Sequence, residues 1–389
     1  MRIAVRTIQA VVGVLFIVSG LVKANDPLGL GYKMQEFFEL WSSGLSGGHF
    51  FARQPLIAFF GLLHEHALFL SVVMITLEII TGVALLLGWR KKLVLYLLLV
   101  LIVFFTFLTG YAYLSGKFTN CGCFGDCLPI TPLTSFTKDV VLLVLIVLLL
   151  AGRRYLQPLF AGRTQSAVLA ASLVLSLLLQ WYVLTYLPLV DCLPFKKNNN
   201  LAAQMKPPPG SAPDSIAIRF IYTKGGKRFE FAPEQLPPDF DTYTYVDRVD
   251  RLVRKGNAEP AIKGFSLIDT SGRDAVPTVL SEPEAVLVFA LDLQQAKAWI
   301  GGMKQVATRA QALKMPVYFA TSDPAAVSSF FAQQQLSVPV FACDFTVIRT
   351  AARTNPVLYL LHSGTVVEKF GAHELDKAAS RLKTSSTKL

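Results

Sequence analysis

Five long apolar stretches constrain this chain more than anything else in it. A helix that crosses a bilayer needs about 20 mostly apolar residues, and the sequence offers such stretches at roughly 7–23, 67–89, 93–114, 133–152 and 166–189. Any one alone is compatible with a buried core helix, but five in succession read as a multi-pass membrane domain. Nothing comparable occurs after residue 195 of the 389. Charged residues make up 16% of the chain, against about 25% for soluble proteins. Together these features exclude a disordered chain, a disulfide-dense miniprotein and an ordinary cytosolic enzyme. The net charge of +11 divides almost evenly between the two halves, so no concentrated basic face points to nucleic acid.

Lys and Arg in short loops orient membrane helices toward the cytoplasm. Arg2 and Arg6 precede the first span, Arg90, Lys91 and Lys92 separate the second from the third, and Arg153, Arg154 and Arg163 separate the fourth from the fifth. The expected topology is an inner-membrane protein with a cytoplasmic N-terminus, an outer loop at 115–132 and a periplasmic C-terminal half. Arg2, Arg6 and Val22-Lys23-Ala24 mimic a cleavable secretory signal, but an uncleaved first helix is the simpler reading beside four later spans.

Four of the five cysteines then lie at the outer face. Cys121, Cys123 and Cys127 fall in the run NCGCFGDC, and Cys192 follows the last span. Three readings are open. Thiol–disulfide cycling is one: a Cys121-Gly122-Cys123 ring would be small, strained and labile, with Gly122 and Gly125 permitting the tight backbone. A structural staple joining Cys121 or Cys123 to Cys127 or Cys192 is another. A soft-ligand metal site with His64 or His66 is the third, though those histidines at i and i+2 face different sides of a helix and no metal is expected. Asp126 beside Cys127 argues against a reactive thiol there, because a neighbouring anion raises its pKa.

An ionisable group inside a membrane span must be neutralised, paired or turned to a cavity. Glu78 is central in the second span, with Ser71, Thr81 and Gly82 on the same helical side. Thr106, Thr109, Gly110 and Tyr113 of the third span are the expected facing stripe. One reading is a protonated carboxyl that donates to a quinone; the other is a neutral Glu hydrogen-bonded for packing. Asp139 with Lys138 is expected to cap or pair locally. Asp26-Pro27-Leu28-Gly29 reads as a turn, and the aromatic loop 28–60 as an interfacial segment.

Three features together, FIVSGLVKANDPLGLGYKMQEFF (16–38), the intramembrane Glu78, and NCGCFGDC followed by PITP and TSFTKDVVLL (to 143), resemble the DoxX/MauE group of redox-associated membrane proteins. The likeness is greatest to the long Bacteroidetes form, in which a periplasmic thioredoxin-like domain follows the membrane domain. The resemblance implies a role in disulfide formation in a partner thiol protein, or in quinone-linked sulfur chemistry.

The second half supports that organisation. Residues 196–216 read as a Lys/Asn/Pro linker, and 217–257 as an extension containing a β-hairpin around Lys224-Gly225-Gly226. From 258 to 389 the order β-α-β-α-β-α-β-β-α resembles the thioredoxin fold, with Pro356 at its cis-proline position. The C-x-x-C of that fold would follow EAVLVFALDL, where the chain has Ala290-Leu291-Asp292-Leu293-Gln294-Gln295 and no thiol. Cys343 is expected to be buried packing. The expected architecture is therefore an all-α transmembrane bundle followed by an α/β thioredoxin-like domain lacking C-x-x-C. Its expected partners are the lipid bilayer and a periplasmic thiol protein or quinone. The leading functional expectation is a redox component acting through Cys121, Cys123 and Cys127. The alternative is a non-enzymatic scaffold or envelope assembly or stress factor with structural disulfides.

Overall fold

The computed structural model describes residues 2–45, 53–118, 127, 130–160, 162–254 and 256–382. Its N-terminal half consists of α1 (Arg2–Ala24), α2 (Pro27–Leu45), α3 (Arg53–Glu65), α4 (Ala67–Leu87), α5 (Lys91–Ser115), α6 (Pro132–Ala151) and α7 (Gly162–Thr185). Of these, α1, α4, α5, α6 and α7 are long and apolar enough to cross a membrane, each within a few residues of a span read from the sequence. The bundle core gathers Val12, Phe16, Leu85, Leu98 and Ile146. Small residues let α1 and α4 touch backbone to backbone. A Cβ on Gly82 would lie 2.9 Å from the Gly13 carbonyl oxygen.

The segment after α1, expected to lie along the interface, is largely helical. It forms α2 and α3, which pack on the N-terminal end of α4 and the C-terminal end of α5. Phe37 packs with Ala112 and Phe118, while Met34 and Phe38 pack on Ala67. Several of the aromatic side chains pack on one another, with Trp41 ringed by Phe37, Phe60, Phe107 and Tyr111, while Phe59 stays exposed. At the opposite end of the bundle, Arg6 donates to Gln157 at 2.9 Å and Lys91 to the Leu156 carbonyl at 3.1 Å.

The first part of the expected linker is also bound, not free. Phe195 and Leu201 are fully buried in the soluble core. The Asn198 and Leu201 amides donate to the Val366 and Gly364 carbonyls, both at 2.8 Å. Two apolar anchors hidden among lysines and asparagines overrode the polar composition, and the short helix α8 (Leu201–Gln204) follows. Next comes a three-stranded antiparallel sheet of β1 (Ser215–Lys224), β2 (Lys227–Phe231) and β3 (Thr244–Arg254), in the order β2-β1-β3. Gly225 and Gly226, both at positive φ, make the hairpin turn. The third strand was not foreseen, because its exposed, charged residues leave no buried face whose period could be read.

The remaining elements are α9 (Val276–Ser281), β4 (Ala285–Ala290), α10 (Ala296–Ala312), β5 (Val317–Thr321), α11 (Pro324–Gln333), β6 (Val340–Ala342), α12 (Phe345–Ala351), β7 (Val357–His362), β8 (Thr365–Gly371) and α13 (Leu375–Arg381). They form a sheet ordered β6-β5-β4-β7-β8, with β4, β5 and β6 parallel and β7 and β8 antiparallel. This is a thioredoxin-like arrangement, and the Asn355–Pro356 peptide ahead of β7 is cis. Every residue of β4 is buried, as a central strand covered on both faces requires. Trp299, Met303 and Phe331 pack on one face, and Phe265, Phe289 and Tyr359 on the other.

Candidate functional site

Two clusters of chemistry-bearing residues lie toward the end of the bundle that meets the soluble domain. The first is the seam between the two domains. Cys127, after α5, is joined by a disulfide to Cys192, after α7, with Cα atoms 4.8 Å apart. This pairing is not among those the sequence suggested, and it means that neither Cys127 nor Cys192 is a free thiol. Cys121 and Cys123 lie outside the described residues.

The chain around Cys192 is tied on both sides. The Asn25 amide donates to the Val190 carbonyl at 2.8 Å and accepts from the Val190 amide at 3.0 Å. Lys369 of β8 donates to Asp191 at 2.6 Å. Burial pulls the Lys369 pKa down, and Asp191 opposes that shift. Next to the bridge, across a cavity lined in part by Asn25, Asp26, Cys127, Asp191 and Cys192, the Arg353 Nε donates to both Asp26 oxygens at 2.9 and 2.8 Å. Both side chains of that pair are buried. Arg349 lies over the Tyr32 ring at 3.7 Å and donates to Gln35.

Asp26 was read as part of a turn, and it does accept the Gly29 amide at 3.0 Å. Its larger role is to anchor the soluble domain. Arg353 precedes the cis peptide, so the domain meets the membrane bundle with its cis-proline edge. Where C-x-x-C would stand, Asn355 accepts the Leu291 amide at 3.0 Å and donates to Asp292 Oδ1 at 2.8 Å. Amide chemistry fills the position that thiols hold in a redox-active member of the fold.

The second cluster is inside the membrane. Lys23 Nζ donates to both Glu78 oxygens, at 2.9 and 2.7 Å, and lies 4.3 Å from the centroid of the Phe105 ring. Asp139 accepts from Thr109 at 3.0 Å and pairs with Lys138 at 3.0 Å. The two pairs line one cavity of about 20 Å³ together with Ser19.

This geometry corrects the Glu78 reading. Glu78 is an ion-pair partner of Lys23, which the sequence reading had treated only as part of a signal-like boundary. The available clue was that two apolar spans each carry one charge, of opposite sign. Ser71 donates to the Pro27 carbonyl at 2.7 Å and Thr81 to the Leu77 carbonyl at 2.7 Å, so neither hydroxyl serves the Glu78 carboxylate. The stripe on α5 faces α6, where Gly110 and Tyr113 pack on Phe136. Both Glu78 oxygens are engaged by Lys23, and a larger cavity of about 570 Å³ that shares Leu15, Lys138 and Leu142 with this one lies beside it.

The segment that joins these clusters is matched by comparison with known proteins. Residues 1–152 match the family model of methylamine utilisation protein MauE. Helices α1 to α6 are thus similar to that family. The match takes in Lys23, Asp26, Glu78, Cys127 and Asp139 but ends before α7, so Cys192 and the soluble side of the seam lie beyond it. Residues 216–255, the three-stranded sheet, match a domain of unknown function (DUF8463). Protein TlpB of Flavobacterium psychrophilum is 29% identical over 146 residues, 37% of this chain and 35% of that relative. The chain therefore aligns with about a third of that relative's length. No solved structure matches.

Cys343 lies apart from the MauE-like domain, buried in the soluble core and free. Burial, and then Asp344, push its thiol up to about 12. At pH 8 roughly one molecule in ten thousand would be the thiolate. Iodoacetamide at that pH is expected to leave Cys343 unmodified in the folded protein and to label it fully in guanidinium, as read by peptide mass mapping. Fast labelling of the folded protein would contradict the burial.

Proposed function

We propose that this multi-pass, MauE-like protein performs thiol–disulfide exchange at the periplasmic face of an inner membrane, with Cys127–Cys192 as the accepting disulfide. The observation that carries the proposal is the position of that bridge, on the seam where the soluble domain presents its cis-proline edge. In the proposed exchange, a thiolate of a reduced partner attacks one sulfur of the bridge and the other leaves as a thiolate. The partner's second thiolate then attacks the mixed disulfide. The partner leaves as a disulfide, and Cys127 and Cys192 are left as two thiols. Cys121 and Cys123, close to Cys127 in sequence, take the two electrons onward as a disulfide, which is reduced to two thiols as the Cys127–Cys192 bond re-forms. The soluble domain holds the partner and contributes no thiol. The basic residues at the far end of the bundle support a cytoplasmic N-terminus.

A second reading has its own support. The same bridge, with the Asp26–Arg353 and Asp191–Lys369 pairs, also clamps the soluble domain to the membrane, as a scaffold would require.

One experiment separates the two. The protein in proteoliposomes is incubated with a reduced peptide dithiol, and free thiols are alkylated and counted by mass. Exchange predicts that Cys127 and Cys192 become alkylated in step with peptide oxidation, and that Cys192→Ser abolishes the reaction with the protein still folded. A bridge that resists the dithiol, with Cys192→Ser only lowering stability, leaves the scaffold reading.

A further inference from the structure

The outer edge of β3 has no paired strand among the described residues, since β3 ends the sheet β2-β1-β3. An unpaired edge is a template for another strand, and at 11 residues this one is long. Its described side chains are exposed for most of its length, with Tyr245 and Val253 exposed by 55% and 67%. Register shifts interrupt the pairing of β3 with β1 near Tyr245 and again near Leu252, and between them Asp247–Leu252 runs in regular register.

That regular stretch reads Asp247-Arg248-Val249-Asp250-Arg251, and its charges are self-complementary. When two copies are laid antiparallel about Val249, Asp247 faces Arg251, Arg248 faces Asp250 and Val249 faces itself. Facing residues in this register share a face of the sheet, so each pair can meet. Just outside the stretch, Val246 would face Leu252. Sliding to the neighbouring registers of the same facing sets Arg248 against Arg248 or Asp250 against Asp250. Charges on an edge strand ordinarily prevent pairing, whereas this pattern rejects other registers and accepts one. In a single copy Arg248 turns along its own strand to Asp250, at 2.7 and 2.9 Å, and that partner can be exchanged for the equivalent Asp across a two-fold axis.

We infer that β3 is a homodimerisation edge, with a second copy of this chain as its occupant and a continuous six-stranded antiparallel sheet as the product. The isologous pairing follows from the palindromic charge order and is independent of the redox reading.

The test uses the full chain in detergent, with mass photometry over a concentration series and oxidative cross-linking of Val249→Cys compared with the unsubstituted chain. The expected result is a dimer in which Val249→Cys cross-links to itself. Asp247→Arg should weaken the dimer by about tenfold or more, through two like-charge contacts, and adding Arg251→Asp should restore it. Restoration also shows that the single variant had not simply unfolded. A monomer at every concentration would overturn the inference. So would a dimer indifferent to the charge reversal, or a Val249→Cys chain that in membranes cross-links only to a different protein.

Discussion

Glu78→Ala is expected to destabilise the membrane bundle by about 3–5 kcal/mol, because it leaves the Lys23 ammonium buried and uncompensated. Lys23 is 3% exposed, its ammonium is held by both Glu78 oxygens, and Phe105 closes another side. The bilayer offers no water to replace the lost partner. Lys23→Met should cost a similar amount by stranding the carboxylate. The double variant Lys23→Met/Glu78→Met should be far more stable than the sum of the single losses, since a buried pair exchanged for apolar side chains of similar volume is often neutral. Thermal unfolding in detergent, followed by tryptophan fluorescence across the four proteins, measures the coupling. Strictly additive losses would show that the pair is not an energetic unit.

Arg353→Ala should release the soluble domain from the membrane domain, at a local cost of about 3–5 kcal/mol for the stranded Asp26 carboxylate. Arg353 meets both Asp26 oxygens, and its neighbour Arg349 packs on Tyr32. Losing the first contact therefore loosens the second. Hydrogen exchange in nanodiscs should rise at residues 26–35 and 349–356 while β4 and β5 keep their protection. Arg353→Lys should rescue little, because an ammonium cannot reproduce the planar guanidinium fork. The Cys127–Cys192 bridge keeps the domain tethered, so the change is one of docking and not of loss. Unchanged exchange at both segments would mean that the disulfide and the remaining seam contacts, Asp191–Lys369 among them, hold the seam without Arg353.

Much of the architecture could be read from hydropathy. Spans and strands declare themselves through runs and periods of apolar residues, since burial against lipid or core acts on each segment nearly independently. The whole β-α-β-α-β-α-β-β-α order emerged that way, as did the missing C-x-x-C after β4. The failures share a cause. The segment 28–60 displayed its aromatic content but not that Phe37, Trp41, Phe60 and Tyr111 would pack together. The Asn-rich start of the linker looked solvated, but Phe195 and Leu201 pin it into the core. The charged strand β3 has no buried face of its own to betray it.

The site divides along the same line. Sequence alone determined that four cysteines stand in segments bordering the apolar spans and that the attached thioredoxin-like module has no thiol pair of its own, because composition and spacing require no knowledge of contacts. Only the tertiary structure decided that Cys127 bonds to Cys192, that Lys23 answers Glu78, and that Asp26 receives Arg353 from 327 positions away. Pairings of that kind depend on which helices become neighbours, and helices whose outer surfaces are equally apolar carry little in their linear order to choose among partners.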